Sequence, residues 1–228
     1  MTTTPEAHRA TRRTSAAGAV TREPSARRLA TRERLLDAAV ELFAERGVLA
    51  ASVEEICERA GFTRGAFYSN FESKDELCLG VLRRKCEQYL DGLQAAIEVI
   101  PEVRSGETGL EGLIDQAVVV FLEGQPKDLS DLIAMMELRL YALRNPDLRE
   151  GWLVEHHGII SSVSRLLDIA LQRVGARLSM PTPLVIELLG AVYENTISMS
   201  VLNGEKRATG LAEQLATLLE ALVVRDCD

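Results

Sequence analysis

Apolar residues return every three or four positions along most of the chain, the period of a helix buried on one face. Leu35, Ala39, Leu42 and Phe43 fall at i, i+4, i+7 and i+8 and predict a helix from about Leu29 to Arg46, with Gly47 as its C′ residue. Ser52-Val-Glu-Glu55 is a capping box that opens a second helix, which runs to Ala60 and stops at Gly61. Thr63 caps a short third helix through about Tyr68. Ser73-Lys-Asp-Glu76 is a second capping box, and the long helix it starts runs to about Ile100 before Pro101. Further helices are predicted near 108–124, 128–144, 147–174, 182–203 and 207–224, separated by Ser105-Gly106, Gln125-Pro126, Asn145-Pro146, the stretch 175–183, and Asn203-Gly204. No stretch shows the two-residue alternation of a strand between turn signals, and there is no internal repeat. The expectation is an all-α fold of about nine helices.

Residues 1–28 have no period and cannot supply a core, which predicts a disordered arm. It is basic, with Arg9, Arg12, Arg13, Arg22, Arg27 and Arg28 against Glu6 and Glu23. It reads either as a solvated tail or as an arm that reaches phosphates or a minor groove.

Composition adds three constraints. The chain of 228 residues is 46% hydrophobic but only 4% aromatic, so its core must be built from Leu, Val, Ile and Ala. Its net charge of −8 argues at first against nucleic acid, yet the charge is divided: residues 1–85 carry 15 Lys/Arg against 12 Asp/Glu, and residues 86–228 carry 11 against 22. A basic end on an acidic body suggests that this end meets an anion. The four cysteines, Cys57, Cys78, Cys86 and Cys227, form no C-x-x-C pair and have no histidine at ligand spacing, so neither a metal site nor a disulfide framework is expected. Cys78 and Cys86 lie eight apart on one helix, about 12 Å by helical rise, and cannot bond to each other. The thiols read as buried and inert, with redox sensing through Cys57 or Cys227 as the alternative. No apolar run is read as long enough to span a bilayer, and no secretory signal is read, so a cytoplasmic protein is expected.

The segment 52–74 carries the chemistry. A helix, the tight turn Ala60-Gly61-Phe62 and a second helix have helix-turn-helix geometry, in which the second helix enters a major groove N-terminus first. Thr63, as N-cap, and the N–H groups behind it can bind a phosphate. Arg64 can fork to guanine O6 and N7. Gly65 lets the helix approach base edges closely, at a cost in helix propensity of roughly 1 kcal/mol. Phe67 points back into a three-helix core, while Tyr68, Ser69 and Asn70 can donate to phosphates. Lys74 stands in the first turn of the next helix, where the dipole disfavours a cation, and a phosphate partner would account for it.

The stretch TRERLLDAAVELFAERGVLAASVEEICERAGFTRGAFYSNFESKDELCLGVL resembles the N-terminal domain of tetracycline-repressor (TetR) type regulators. The residues that carry the resemblance are Ala39, Leu42, Phe43, Gly47, Ser52, Val53, Ile56, Ala60, Gly61, Thr63, Gly65, Tyr68, Phe71, Ser73, Lys74 and Leu77. Cys57 and Phe62 depart from it, where Ala and Val are usual, and both are apolar swaps. The resemblance implies an all-helical homodimer with a helix-turn-helix domain over 29–75 and a ligand-binding and dimerisation domain over 76–228. It implies a ligand-responsive repressor of a pseudo-palindromic double-stranded operator, without a cofactor. It places the DNA contacts on Ser52, Thr63, Arg64, Gly65, Tyr68, Asn70 and Lys74.

Two faces of the C-terminal helices remain to be assigned. Leu184, Leu188, Ala191, Val192, Asn195 and Met199 recur at helical spacing, as do Leu211, Leu215, Leu218, Leu219 and Leu222. Each stripe is either intramolecular core or one half of a dimer bundle, and the bundle is favoured because one reading helix covers little DNA. Trp152 and His156 share a helix face and, with Phe121, Met136 and Tyr193, could line a mostly apolar cavity for a largely apolar effector. His156 and His157 have no nucleophile and acid arranged around them, which argues against an enzyme. The alternative is a small-molecule-binding protein or enzyme with a vestigial DNA-binding head.

Overall fold

A computed structural model describes residues 26–99, 110–125, 128–173, 175–205 and 208–225. The basic arm up to residue 25 and Cys227 therefore lie outside the described residues. The helices are α1 (Ala26–Arg46), α2 (Val53–Ala60), α3 (Arg64–Tyr68), α4 (Lys74–Val99), α5 (Leu110–Glu123), α6 (Leu129–Arg144), α7 (Pro146–Arg173), α8 (Thr182–Leu202) and α9 (Leu211–Leu222). The fold is all-α, as expected, and α1 begins three residues earlier than the apolar pattern indicates.

Two short strands were not anticipated. β1 (Ala176–Leu178) pairs antiparallel with β2 (Val223–Arg225), with Ala176 opposite Arg225 and Leu178 opposite Val223. Three residues are too few for alternation to register in a sequence, although Ala176 and Leu178 are buried and Arg177 is exposed. The ladder ties the end of α9 to the end of α7.

Buried side chains form two cores. The first holds Leu35, Leu36, Leu42 and Phe43 of α1, Ile56 of α2, Phe67 of α3 and Leu77 and Val81 of α4. It continues into Ala134, Leu138 and Ala142 of α6 and Leu148 of α7. Fully burying one such Leu or Phe contributes about 1.5–3 kcal/mol. The helix-turn-helix head thus has no private core, because α1 packs along α6. The second core joins Ile114, Val118 and Phe121 of α5, Leu171 of α7, Val185, Leu189 and Tyr193 of α8 and Leu211, Leu215 and Leu219 of α9.

This partition settles one of the two stripes. Leu211, Leu215 and Leu219 are buried inside the chain, with Leu218 and Leu222 packed at the edge of the same core. On α8 the opposite holds: Leu184, Leu188 and Met199 are exposed, and Leu202 keeps 77% of its surface. This helix is, contrary to expectation, long and apolar enough to cross a membrane by length and composition alone. Its inner face nonetheless packs Val185, Leu189 and Tyr193 into the second core, and Glu187 and Glu194 interrupt the run.

Candidate nucleic-acid interface and apolar cavity

The head is assembled by caps. Ser52 Oγ accepts the Glu55 N–H, and the Glu55 carboxylate accepts from the Ser52 N–H and hydroxyl, at 2.8–3.2 Å. The predicted capping box is complete, so the Ser52 hydroxyl is committed to α2. Gly61 adopts φ 71°, ψ 34°, and the N–H of Phe62 closes on the Cys57 carbonyl at 2.8 Å. A residue with a Cβ would be strained in this left-handed conformation, so the glycine sets the angle between α2 and α3. The second box forms only in part: Ser73 caps the Glu76 N–H, but the Glu76 carboxylate accepts from Glu72 rather than from Ser73.

Two α1 arginines, not singled out in the sequence, brace this unit. Arg34 donates to the Ala60 carbonyl at 2.8 Å and lies over the Phe62 ring. Arg32 donates to the Asn70 carbonyl at 3.0 Å and stacks on Phe71, its Cζ 4.2 Å from the ring centre. Each guanidinium therefore satisfies the C-terminal end of one reading element while covering an aromatic side chain. In sequence they are only polar positions of an amphipathic helix.

α3 presents its leading end to solvent. Thr63, Arg64, Gly65 and Tyr68 are exposed, Tyr68 to 51%, and Phe67 is fully buried beneath them. Thr63 caps the Ala66 N–H at 3.3 Å. A Cβ added to Gly65 would meet only Thr63 Oγ1, at 3.7 Å, an ordinary contact. Nothing among the described residues demands a glycine there. Arg64 forms an ion pair with Glu54 at 2.5 Å and reaches the Tyr68 hydroxyl at 3.5 Å.

Two of the side chains expected to contact DNA, Asn70 and Lys74, have hydrogen-bond partners within the chain. Asn70 is 8% exposed, its amide N–H donates to the Ala66 carbonyl at 2.8 Å, and its Oδ1 is buried without a hydrogen-bond partner. Its donor points into the fold, so it ends α3 rather than reaching outward. Lys74 donates to the carbonyls of Val48 and Ala51 at 2.9 and 3.1 Å and sits 5.6 Å from the Tyr141 ring centre. The cation at the start of α4 is explained by two carbonyls of the α1–α2 loop and an aromatic face, with no phosphate needed. Next to it, Asp75 accepts from the Tyr141 hydroxyl and the Asn145 amide at 2.8 and 2.9 Å. Lys74 and Asp75 therefore fasten the head to α6.

The cavity lies in the second core. It measures about 80 Å³ and is lined by α4, α5, α7, α8 and α9, with Tyr89, Leu93, Phe121, Val163, Leu167 and Ile186 among its walls. Tyr89 supplies the single polar side-chain group of the lining. Burial pushes its phenol up to about 12, so the ring is neutral at physiological pH. Of the five predicted lining residues, Phe121 alone lines the cavity. Tyr193 is buried beside it, ring centres 6.3 Å apart. Met136 is 41% exposed, Trp152 packs against the first core, and His156 lies on the surface facing Glu187 at 3.8 Å. Helical spacing identified which side chains share a face but not which neighbour that face meets.

The family described as bacterial regulatory proteins, tetR family, matches residues 35–81, which span α1 to the start of α4. Residues 35–81 thus form a helix-turn-helix head of the tetR-family type. The HTH-type transcriptional activator FasR of Mycolicibacterium smegmatis is 40% identical over 73 residues, 32% of this chain and 33% of that protein. The HTH-type transcriptional repressor KstR2 of the same species is 29% identical over 128 residues, 54% of this chain and 61% of that protein. The chain thus spans from a third to about three fifths of these relatives. Salmonella enterica GusR has the same fold, with a TM-score of 0.64 at 24% identity over 89% of this chain and 97% of that one. The family match falls on the head, whereas the likeness in fold extends over 89% of the chain.

Proposed function

We propose that this tetR-family chain is a cytoplasmic DNA-binding repressor that binds a pseudo-palindromic operator as a homodimer and is released by a largely apolar small molecule. The observation that carries the reading is the bare leading end of α3: exposed Thr63, Arg64, Gly65 and Tyr68 on a fully buried Phe67. Thr63 and Tyr68 supply phosphate contacts, Arg64 reads a guanine, and Gly65 admits the groove edge. Ser52 and Lys74 shape the head, and the phosphate-reaching role is withdrawn from Asn70. The outward stripe of α8, with Leu184, Leu188, Ala191, Asn195 and Met199, supports pairing with a second copy, and α9 joins at its edge. The apolar lining of the cavity suits binding of an uncharged molecule more than chemistry upon it.

The test is selection of duplexes from a randomised pool, followed by footprinting and gel-shift titration. A symmetric protected site is expected, with half-sites one helical turn or a multiple apart. Arg64→Ala should weaken the selected duplex by about five- to a hundredfold and relax one base position. Equal loss on selected and random duplexes would remove Arg64 from base reading. Absence of salt-sensitive affinity for any duplex would overturn the whole reading.

A further inference from the structure

We infer that Tyr89 and Gly124 together set the capacity of the apolar cavity. The glycine leaves a seat for the phenol ring between α4 and α5, and the seated ring is the wall that keeps out molecules the size of benzene. This deepens the reading of the cavity as an effector site, and it is tested without DNA.

α5 turns one stripe towards the cavity. Ile114, Ala117, Val120 and Phe121 recur at helical spacing and all line it. Gly124 is the next position of that stripe, one turn beyond Val120, whose carbonyl accepts its N–H at 3.3 Å. The side chain that would continue the stripe is missing, and the Tyr89 ring of α4 fills its place. A Cβ on Gly124 would overlap the edge of that ring, at Cδ2 and Cε2. The backbone does not call for a glycine here, since Gly124 is not one of the left-handed glycines. Gly92, Gly158 and Gly190, inside helices, have nothing within 4 Å of where a Cβ would stand. At Gly151 a Cβ would meet the tip of Leu79, which can swing aside. A flat ring has no free end to bend and must rotate as a whole. The same ring lines the cavity, so a side chain at position 124 would drive it into that space.

Size gives the pair its consequence. The cavity measures about 80 Å³. An engineered apolar cavity that takes up benzene measures on the order of 150 Å³. The cavity therefore suits an atom such as xenon and excludes an aromatic ring. Most of its other walls are fixed from behind: Val163, Ile186 and Leu189 are buried, and Phe121 rests on Tyr193. Tyr89 is only half-buried. Its side chain carries a ring the size of benzene, so removing it opens the missing space. An effector too large for the present cavity would have to displace this ring.

Xenon NMR and the dependence of Tm on benzene concentration test this on the full chain. The unaltered chain should take up xenon and gain no stability from benzene. Tyr89→Ala should acquire a Tm that rises with benzene. Gly124→Ala should lose xenon, whereas Tyr89→Phe, which keeps the ring, should retain it. In the Tyr89→Ala background, Gly124→Ala should change benzene affinity by less than about twofold, since the ring it collides with is gone. The inference is overturned if the unaltered chain takes up benzene or refuses xenon, if Gly124→Ala keeps xenon, if Tyr89→Phe loses it, or if Tyr89→Ala takes up no benzene. It is overturned equally if Gly124→Ala abolishes benzene binding in the Tyr89→Ala background, because the glycine would then be shaping α5 rather than seating the ring. If Gly124→Ala alone does not fold by circular dichroism, recovery of folding on adding Tyr89→Ala supports the shared space, and failure to recover overturns it. A chain whose cavity responds as described but that has no salt-sensitive DNA affinity leaves this inference standing and removes the effector reading.

Discussion

The two cores are packed to different standards. Of the largest fully buried side chains, Leu215 belongs to the second core, whereas Phe43, Phe67, Phe71, Leu35, Leu36, Ile56, Leu77 and Leu138 all belong to the first. Around the first, ends of helices are closed by side chains: Ser52 on α2, Thr63 on α3, Arg34 and Arg32 on their C-terminal ends. Around the second lie a cavity and an outward apolar stripe on α8. A head that must hold α3 at a fixed angle gains from dense packing, since misplacement by a fraction of an ångström breaks a bidentate contact. A body that admits a ligand, as proposed, would need space that a dense core would not leave.

The largest test of this contrast is truncation in each core. Phe43→Ala should cost about 3–5 kcal/mol, while Leu171→Ala, beside the existing cavity, should cost about 2–3 kcal/mol. Urea unfolding followed by circular dichroism reads both, and equal losses would break the comparison.

Alkaline pH comes next. Burial pushes the Cys78 thiol in the first core from an ordinary 9.0 up to about 12. The neutral form is favoured in the fold, so the unfolded chain ionises first. The stabilisation is whole below about pH 9 and is lost as pH rises towards 12, on the order of 4 kcal/mol in all. Cys78→Ala should flatten that decline more than Tyr89→Phe does in the second core.

Lys74→Met should cost about 2 kcal/mol of stability, because two loop carbonyls lose a charged donor. It should leave the slope of DNA affinity against salt unchanged, and a slope reduced by about one would restore Lys74 as a phosphate contact.

Gly47→Ala should cost about 1–2 kcal/mol. Its φ is 78°, and a Cβ would stand 2.6 Å from the Glu137 carboxylate of α6, which can swing aside. Arg59→Ala should cost less than about 1 kcal/mol and lose even that at high salt, since its partners Glu41 and Glu45 are exposed.

The same contrast governs what could be read from the sequence. In the head, information is local. A capping box, a turn glycine and a short helix all fall between Ser52 and Tyr68, and each is a rule about neighbours in the chain. Phe67 and Gly61 were legible for that reason. Lys74 was legible as an anomaly, but its explanation was not, because Val48, Ala51 and Tyr141 come from a distant loop and helix. The surroundings of Asn70 were hidden in the same way: its amide donates to the Ala66 carbonyl, and Arg32 donates to its backbone carbonyl. In the body, helix boundaries followed from periodicity while helix neighbours did not. Trp152 and His156 do lie near one another on α7, but the tryptophan meets the first core and the histidine meets solvent. The cavity is defined by which helices approach one another, and nothing in a single strand of letters states that.

Trp152 is the sole tryptophan of the chain, and it sits where α7 leans on the first core, beside Gly151, whose bareness lets α7 come within reach of Leu79 on α4. The one indole of the chain therefore stands at the seam between the head and the body, while the aromatic side chains of the cavity wall are Tyr89 and Phe121. Its emission will therefore be insensitive to a molecule merely occupying the pocket. It will change when the head shifts on its mounting, so under the proposed function intrinsic fluorescence would gauge movement of the head rather than occupancy of the cavity.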